Sequence, residues 1–162
     1  MVAAAGPNLG SYAPGSAAFG NPSVFHGGQR FYVAARARMV IPAPAGGNII
    51  FGGADTGGGA QQVFVGYYAL GDATHFIMAA AGPGAPGFVV STHLADANWH
   101  DFEGWSDGTT FYFSVDAEAT LNFTMVAPPT LTMMPFIMGV STAASGLTLD
   151  MDKYLVVFPQ AA

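Results

Sequence analysis

Residues 98–118 read NWHDFEGWSDGTTFYFSVDAE, and this stretch decides the fold. Phe102 sits between Asp101 and Glu103, so an extended chain over 99–107 turns the ring to a core and both acids outward. Asp107-Gly108 is a turn pair, and TTFYFSVD (109–116) beyond it is rich in aromatic and β-branched residues. After Ala117-Glu118, ATLNFTM (119–125) completes three consecutive antiparallel strands.

The same grammar extends in both directions. Downstream, VAPPT separates LTMMPFIMGV (131–140) from LTLDMDKYLVVF (147–158), which alternates Leu149 and Met151 against Asp150 and Asp152 before turning apolar. Upstream, RFYVAARARMV (30–40) sets Phe31, Val33, Ala35, Ala37 and Met39 on one face and Arg36 and Arg38 on the other. Strands are also predicted at 48–53, 61–68, 74–80 and 87–92, broken by Gly, Pro and Asp clusters about every ten residues. No helix signature of comparable length occurs. About ten strands result, the pattern of an all-β, two-sheet antiparallel jelly-roll sandwich over residues 29–160.

Residues 1–28 carry Pro7, Pro14 and Pro22 among glycines, no charged side chain and no period. They are expected to form an extended N-terminal arm whose anchors are Tyr12, Phe19 and Phe25, spaced six or seven residues apart.

Composition narrows the partners. The 162 residues are 51% hydrophobic and only 9% charged, with 4 Lys plus Arg against 10 Asp plus Glu and a net charge of −6. A phosphate-binding surface needs clustered cations, so neither nucleic acid nor an acidic membrane is an expected partner. Sparse surface charge weakens repulsion between molecules, which points to a homo-oligomer or to coverage by a larger assembly. There is no Cys, and MVAAAGPNLGSYAPG lacks the basic and apolar regions of a secretion signal, so synthesis in a cytoplasm is expected.

Trp99, His100, Phe102, Trp105, Phe111, Tyr112, Val115 and Asp116 fall, in that order, where the concanavalin A-like lectin and glucanase superfamily places its central strands. MDKYLVVF (151–158) resembles the family's closing strand, and FGG with VFVGYY resembles the sheet that forms its concave face. The resemblance, which extends to laminin-G domains, implies a jelly roll with both tryptophans in the core. That leaves Tyr67 and Tyr68, with Asp55 in the preceding glycine-rich loop, as the residues that would meet a glycan or partner.

The chemistry the family supports elsewhere is not evident here. The Glu-x-Asp-x-x-Glu signature of a retaining glucanase is missing, and Asp55 is the one acid between residues 46 and 70. Asp101 and Glu103 would stand about 7 Å apart on an outward face, as solvated charges. Asp55, Asp72, Asp96 and Asp107 lie in separate loops, with no calcium-binding pattern. His26, His75, His93 and His100 form no ligand pair in sequence. Neither a nucleophile elbow nor a phosphate loop occurs. No catalytic residue, metal or cofactor is therefore expected.

The expected function is a non-enzymatic structural or interaction protein, a capsid decoration or cement-type protein of a tailed-bacteriophage virion. It would be made in the host cytoplasm and bound to itself and to a major capsid or other virion protein. The alternative is a carbohydrate-binding, lectin-like module serving, for example, host-glycan adhesion.

Overall fold

A computed structural model describes residues 9–14, 25–26, 30–40, 47–55, 61–69, 71–130, 132–141 and 148–157. They form twelve strands: β1 (Leu9–Pro14), β2 (Phe25–His26), β3 (Phe31–Val40), β4 (Gly47–Asp55), β5 (Gln62–Tyr68), β6 (Asp72–Ala81), β7 (Gly87–Leu94), β8 (Trp99–Ser106), β9 (Thr110–Val115), β10 (Leu121–Thr124), β11 (Thr132–Ser141) and β12 (Thr148–Val157).

Every pairing is antiparallel, in two sheets. The seven-stranded sheet runs β1-β11-β4-β5-β6-β7, with β2 also on β11, and the five-stranded sheet runs β10-β9-β8-β3-β12. The expected two-sheet, antiparallel, all-β architecture is what the chain adopts. Two pieces of the stretch expected as an arm are strands: Leu9–Pro14 lies along β11 with Tyr12 opposite Met138, and Phe25 lies opposite Met133. Phe19 lies outside the described residues.

The core forms where the inner faces meet. From β3, Phe31, Val33, Ala35, Ala37 and Met39 are all buried, as alternation requires. They meet Phe102, Phe111, Phe113 and Val115 of their own sheet and Ile49, Phe51, Val65, Tyr67, Phe76 and Met78 of the other. β5 is central and is buried on both faces, because its even-numbered side chains enter a second apolar cluster. That cluster joins Phe64 to Ile50, Ala54 and Ile77 on the outer side of the seven-stranded sheet.

One acid closes the sandwich along an edge. Glu118 accepts hydrogen bonds from Ser91 Oγ (2.8 Å), Thr92 N (3.0 Å) and Thr92 Oγ1 (2.6 Å) on β7, and from Val115 N (3.3 Å) on β9. It thereby ties the last strand of one sheet to the other sheet. Despite the opposing effect of burial, these donors hold its carboxyl below the ordinary range.

Candidate functional site

The outward face of the five-stranded sheet gathers most of the chemistry. Alternation in β8 buries His100, Phe102 and Ser106 and turns Trp99, Asp101, Glu103 and Trp105 out. Register with β3 and β12 then sets Arg36 between Asp101 and Lys153, and Ala34 between Glu103 and Leu155. A short side chain flanked by long ones makes a groove. Ala34, Arg36, Asp101, Glu103, Lys153 and Leu155 line a depression of about 600 Å3, with Asp116 and Ala117 at its end. That volume lies within the range of small-ligand sites.

Aromatic groups flank the groove. Trp105 and Tyr112 are cross-strand partners whose rings stack at 5.4 Å with 11° between their planes. The Tyr32 hydroxyl donates to Glu103 Oε1 at 2.9 Å, and the Tyr112 hydroxyl donates to Asp107 Oδ2 at 3.2 Å. At the other end Arg38 lies 5.5 Å over the Trp99 ring and donates through Nε to Asp150 Oδ2 at 3.0 Å. Arg36 stands 3.9 Å from Asp101. Three of the chain's four Lys and Arg residues thus lie on this one face, Arg36 and Arg38 each beside an acid and Lys153 opposite Arg36.

A second cluster occupies the end of the sandwich where β7, β8 and β9 finish or begin. His100 is 6% exposed, packed edge-on to Phe76 at 4.9 Å, and both its ring nitrogens meet carboxylates: Nδ1 to Asp116 Oδ2 at 2.6 Å and Nε2 to Asp96 Oδ1 at 2.9 Å. Burial alone would lower its pKa, but the two carboxylates outweigh it and raise the value. Burial likewise works against Asp96 and Asp116, whose hydrogen bonds nonetheless leave both below the usual carboxylate range. His93 Nδ1 stands 3.8 Å from Asp116 Oδ2.

The turn that presents Asp116 is conformationally costly. Asp116 and Ala117 have φ of 50° and 57°, left-handed values at two successive non-glycine residues, at a cost of order 1–3 kcal/mol each. The turn is held by Glu118 N donating to Val115 O (2.9 Å), Asp116 N to Asp101 O (2.8 Å) and Asp101 N to Asp116 Oδ1 (2.8 Å).

Carboxylates that accept hydrogen bonds in the folded state make stability depend on pH. Turn donors from Thr74 and His75 outweigh desolvation and lower Asp72 to about 2. Asp107 is lowered chiefly by the Thr110 and Thr109 amides, and Glu118 is lowered as described above. Because folded values lie below unfolded ones, this contribution is complete above about pH 5 and is lost as pH falls through about 4 toward 2. The urea midpoint is therefore expected to be lower at pH 3 than at pH 6. Equal midpoints would mean that these hydrogen bonds persist in the unfolded chain or do not form.

The expected site residues are not brought together. Tyr67 is a correction: it is 1% exposed, faces the intersheet core and donates its hydroxyl to Ala73 O at 3.3 Å, so its ring offers no face to a ligand. Tyr68 is half-buried against Phe64, 5.2 Å away, in the second apolar cluster. Asp55 ends β4 opposite Met133 instead of lying in a loop. Trp99 and Trp105, expected in the core, face outward, with Trp99 40% exposed. The alternation that sent Asp101 and Glu103 outward already required this of both tryptophans. His93 stands on β7 of one sheet while His100 is on β8 and Asp116 just after β9 of the other, so the packing of the two sheets at this end brings them together.

No family model matches the sequence, and no curated protein matches it significantly. The fold has clear counterparts among solved structures. Alginate lyase A1-II′ superposes with a TM-score of 0.58 at 10% identity, over 93% of this chain and 79% of that one. A glycoside hydrolase family 16 endo-glucanase from Bacteroides ovatus gives 0.56 at 12% identity, over 95% and 79%. Domains LG4-5 of the mouse laminin α1 chain give 0.56 at 13% identity, over 79% and 35%. The likeness shows the fold: the chain is an antiparallel two-sheet jelly roll like those of these structures. The expectation that it is non-enzymatic is overturned: a lyase and a glucanase carry catalysis on this same scaffold, so the fold gives no ground for excluding it.

Proposed function

We infer that this protein binds saccharide along the outward face of its five-stranded sheet. The observation that carries the reading is the groove between β12, β3 and β8, with the stacked Trp105–Tyr112 pair and the Tyr32–Glu103 hydrogen bond beside it. Sugars offer apolar C–H faces to aromatic rings and a dense set of hydroxyls to charged donors and acceptors. Arg36, Lys153, Asp101 and Glu103 supply both kinds of hydrogen-bonding partner within one depression. The scaffold is consistent with this use, since two of the similar structures are named for action on polysaccharide. By contrast, Ile50, Ala54, Phe64 and Ile77 on the outer side of the seven-stranded sheet are buried and open to no ligand.

A glycan array probed with the full chain tests this, followed by calorimetry on the best hit. Trp105→Ala and Tyr112→Ala are each expected to weaken that hit about tenfold or more, as loss of an aromatic anchor does. Tyr67→Phe, which keeps the buried ring, is expected to bind like the parent. Retention of no saccharide, or binding abolished by Tyr68→Ala and untouched by Trp105→Ala, would remove the reading.

A second reading, as a module seated on a symmetric particle such as a virion, draws support from the low charge and from the exposed Phe88 (54%), Leu94 (61%) and Leu155 (52%). Failure to retain any saccharide in the same experiment leaves this one standing.

A further inference from the structure

The cluster at the end of the sandwich meets the groove at Asp116 but stands on its own geometry, whatever the groove binds. One donor atom from each of His93, His100 and Asp116 lies within 4.8 Å of the other two, and among the described residues they are the one such group of three. We propose that these three side chains bind a divalent transition-metal ion, with zinc the best fit to two imidazoles and one carboxylate.

Four features of the geometry support this. First, the donors need little movement. Zinc bonds of about 2.0–2.2 Å place tetrahedral ligands roughly 3.4 Å apart, so His100 Nδ1 and Asp116 Oδ2 must spread slightly from 2.6 Å. His93, at 3.8 Å from Asp116 Oδ2, must approach slightly. Second, His100 has the outer partner that ligating histidines usually have. Its Nε2 meets Asp96 Oδ1 at 2.9 Å, which orients the ring and leaves Nδ1 as the ligand atom. On binding, the proton shared between Nδ1 and Asp116 goes to solvent and the ion takes its place.

Third, Asp116 is fixed for one task. Its Oδ1 accepts from Asp101 N at 2.8 Å, which commits one oxygen and aims the other at the histidines, on a turn of unfavourable φ that its neighbours hold in place. Fourth, the site is open on one side. The His93 and Asp116 side chains are 35% and 32% exposed while His100 is 7%, so a rigid buried ligand faces two accessible ones with room for water in a fourth position. His75 with Asp72 is the obvious competitor, but it offers only two ligands, and the Asp72 oxygen that faces His75, Oδ1, already accepts from the Thr74 and His75 amides and the Thr74 hydroxyl.

The test uses the full chain stripped with a chelator, titrated with Co2+ and followed by its visible d–d absorption, then with Zn2+ by calorimetry. One equivalent of Co2+ is expected to bind and to be displaced by Zn2+. His93→Ala is expected to lower Zn2+ affinity at least tenfold while keeping the circular dichroism spectrum and thermal midpoint of the metal-free parent. Asp96→Asn should cost about 10–100-fold through the lost orienting partner, and His75→Ala should change nothing. Absence of stoichiometric binding, or affinity that follows His75→Ala and ignores His93→Ala, would overturn the proposal and leave His100 as a buried ring held between two acids.

Discussion

Phe102→Ala is expected to cost about 3–5 kcal/mol, the range for deleting a large aromatic ring from a core. The ring is 1% exposed and stands where the two sheets meet. It makes edge-on contacts with Phe51 of β4 (5.5 Å, 84°) and Phe76 of β6 (4.9 Å, 87°), so one side chain of the five-stranded sheet bridges two strands of the other. Truncation removes burial and both edge-to-face contacts, and the strands cannot collapse into the space because each is pinned by its ladder. His100 would loosen too, since Phe76 packs against both rings. Urea unfolding reads the effect as a lowered midpoint at unchanged slope. Phe102→Leu, which refills most of the volume, should recover more than half of the loss. A cost below about 1 kcal/mol for the alanine variant would mean that the core is not organised around this ring.

Much of the fold was legible because period-two alternation leaves little freedom once one face is buried. In β3 and β8 the inward sets follow directly from the sequence, and every interior strand expected between residues 30 and 158 is present. The site was less legible, for two separate reasons. Trp99 and Trp105 share their parity with Asp101 and Glu103, and charges near the middle of a strand do not face a core, so parity outweighs the family resemblance and both tryptophans face outward. Tyr67 is withdrawn from any ligand because β5 is central and covered on both sides, a property of its neighbours β4 and β6 that its own residues cannot reveal. The His93, His100 and Asp116 cluster had no local signature at all. It depends on a β7-to-β8 connection and a β9 turn that converge in space, and no spacing rule along the chain encodes that.

The two sheets differ in what their outer faces can do, and two glycines mark the difference. On the seven-stranded sheet, Gly52 of β4 and Gly66 of β5 lie across from Phe64 and Ile50, so the apolar cluster there is built around positions with no side chain. On the five-stranded sheet the corresponding outward positions are filled by Arg36, Asp101, Glu103 and Trp105, and that face is wet and chemically varied.

Gly66→Ala is therefore expected to be among the most destabilising single-methyl changes in the chain, at about 3–5 kcal/mol. Gly66 has φ of +136°, which an L-residue side chain rarely tolerates, and it lies at the register shift between β5 and β6. A Cβ there would stand 2.3 Å from Ile49 O and 3.1 Å from the Ile50 Cα, which are backbone atoms of a paired strand. Both costs apply: the φ carries about 1–3 kcal/mol of backbone strain, and the clash pushes β4 from β5 with an overpacking cost of similar size. The control is Gly104→Ala on β8, where the nearest atoms are side-chain termini: Val65 Cγ1 at 3.0 Å, Val33 Cγ1 at 3.2 Å and Met78 Cε at 3.5 Å. Those groups can turn aside, so Gly104→Ala should cost about 1 kcal/mol. Chemical denaturation of both variants separates the two causes, because each adds the same methyl group to the interior. A large loss for Gly66→Ala with a small one for Gly104→Ala assigns the effect to the backbone. Equal losses would mean that interior crowding alone sets the cost and that the φ of Gly66 carries no special constraint.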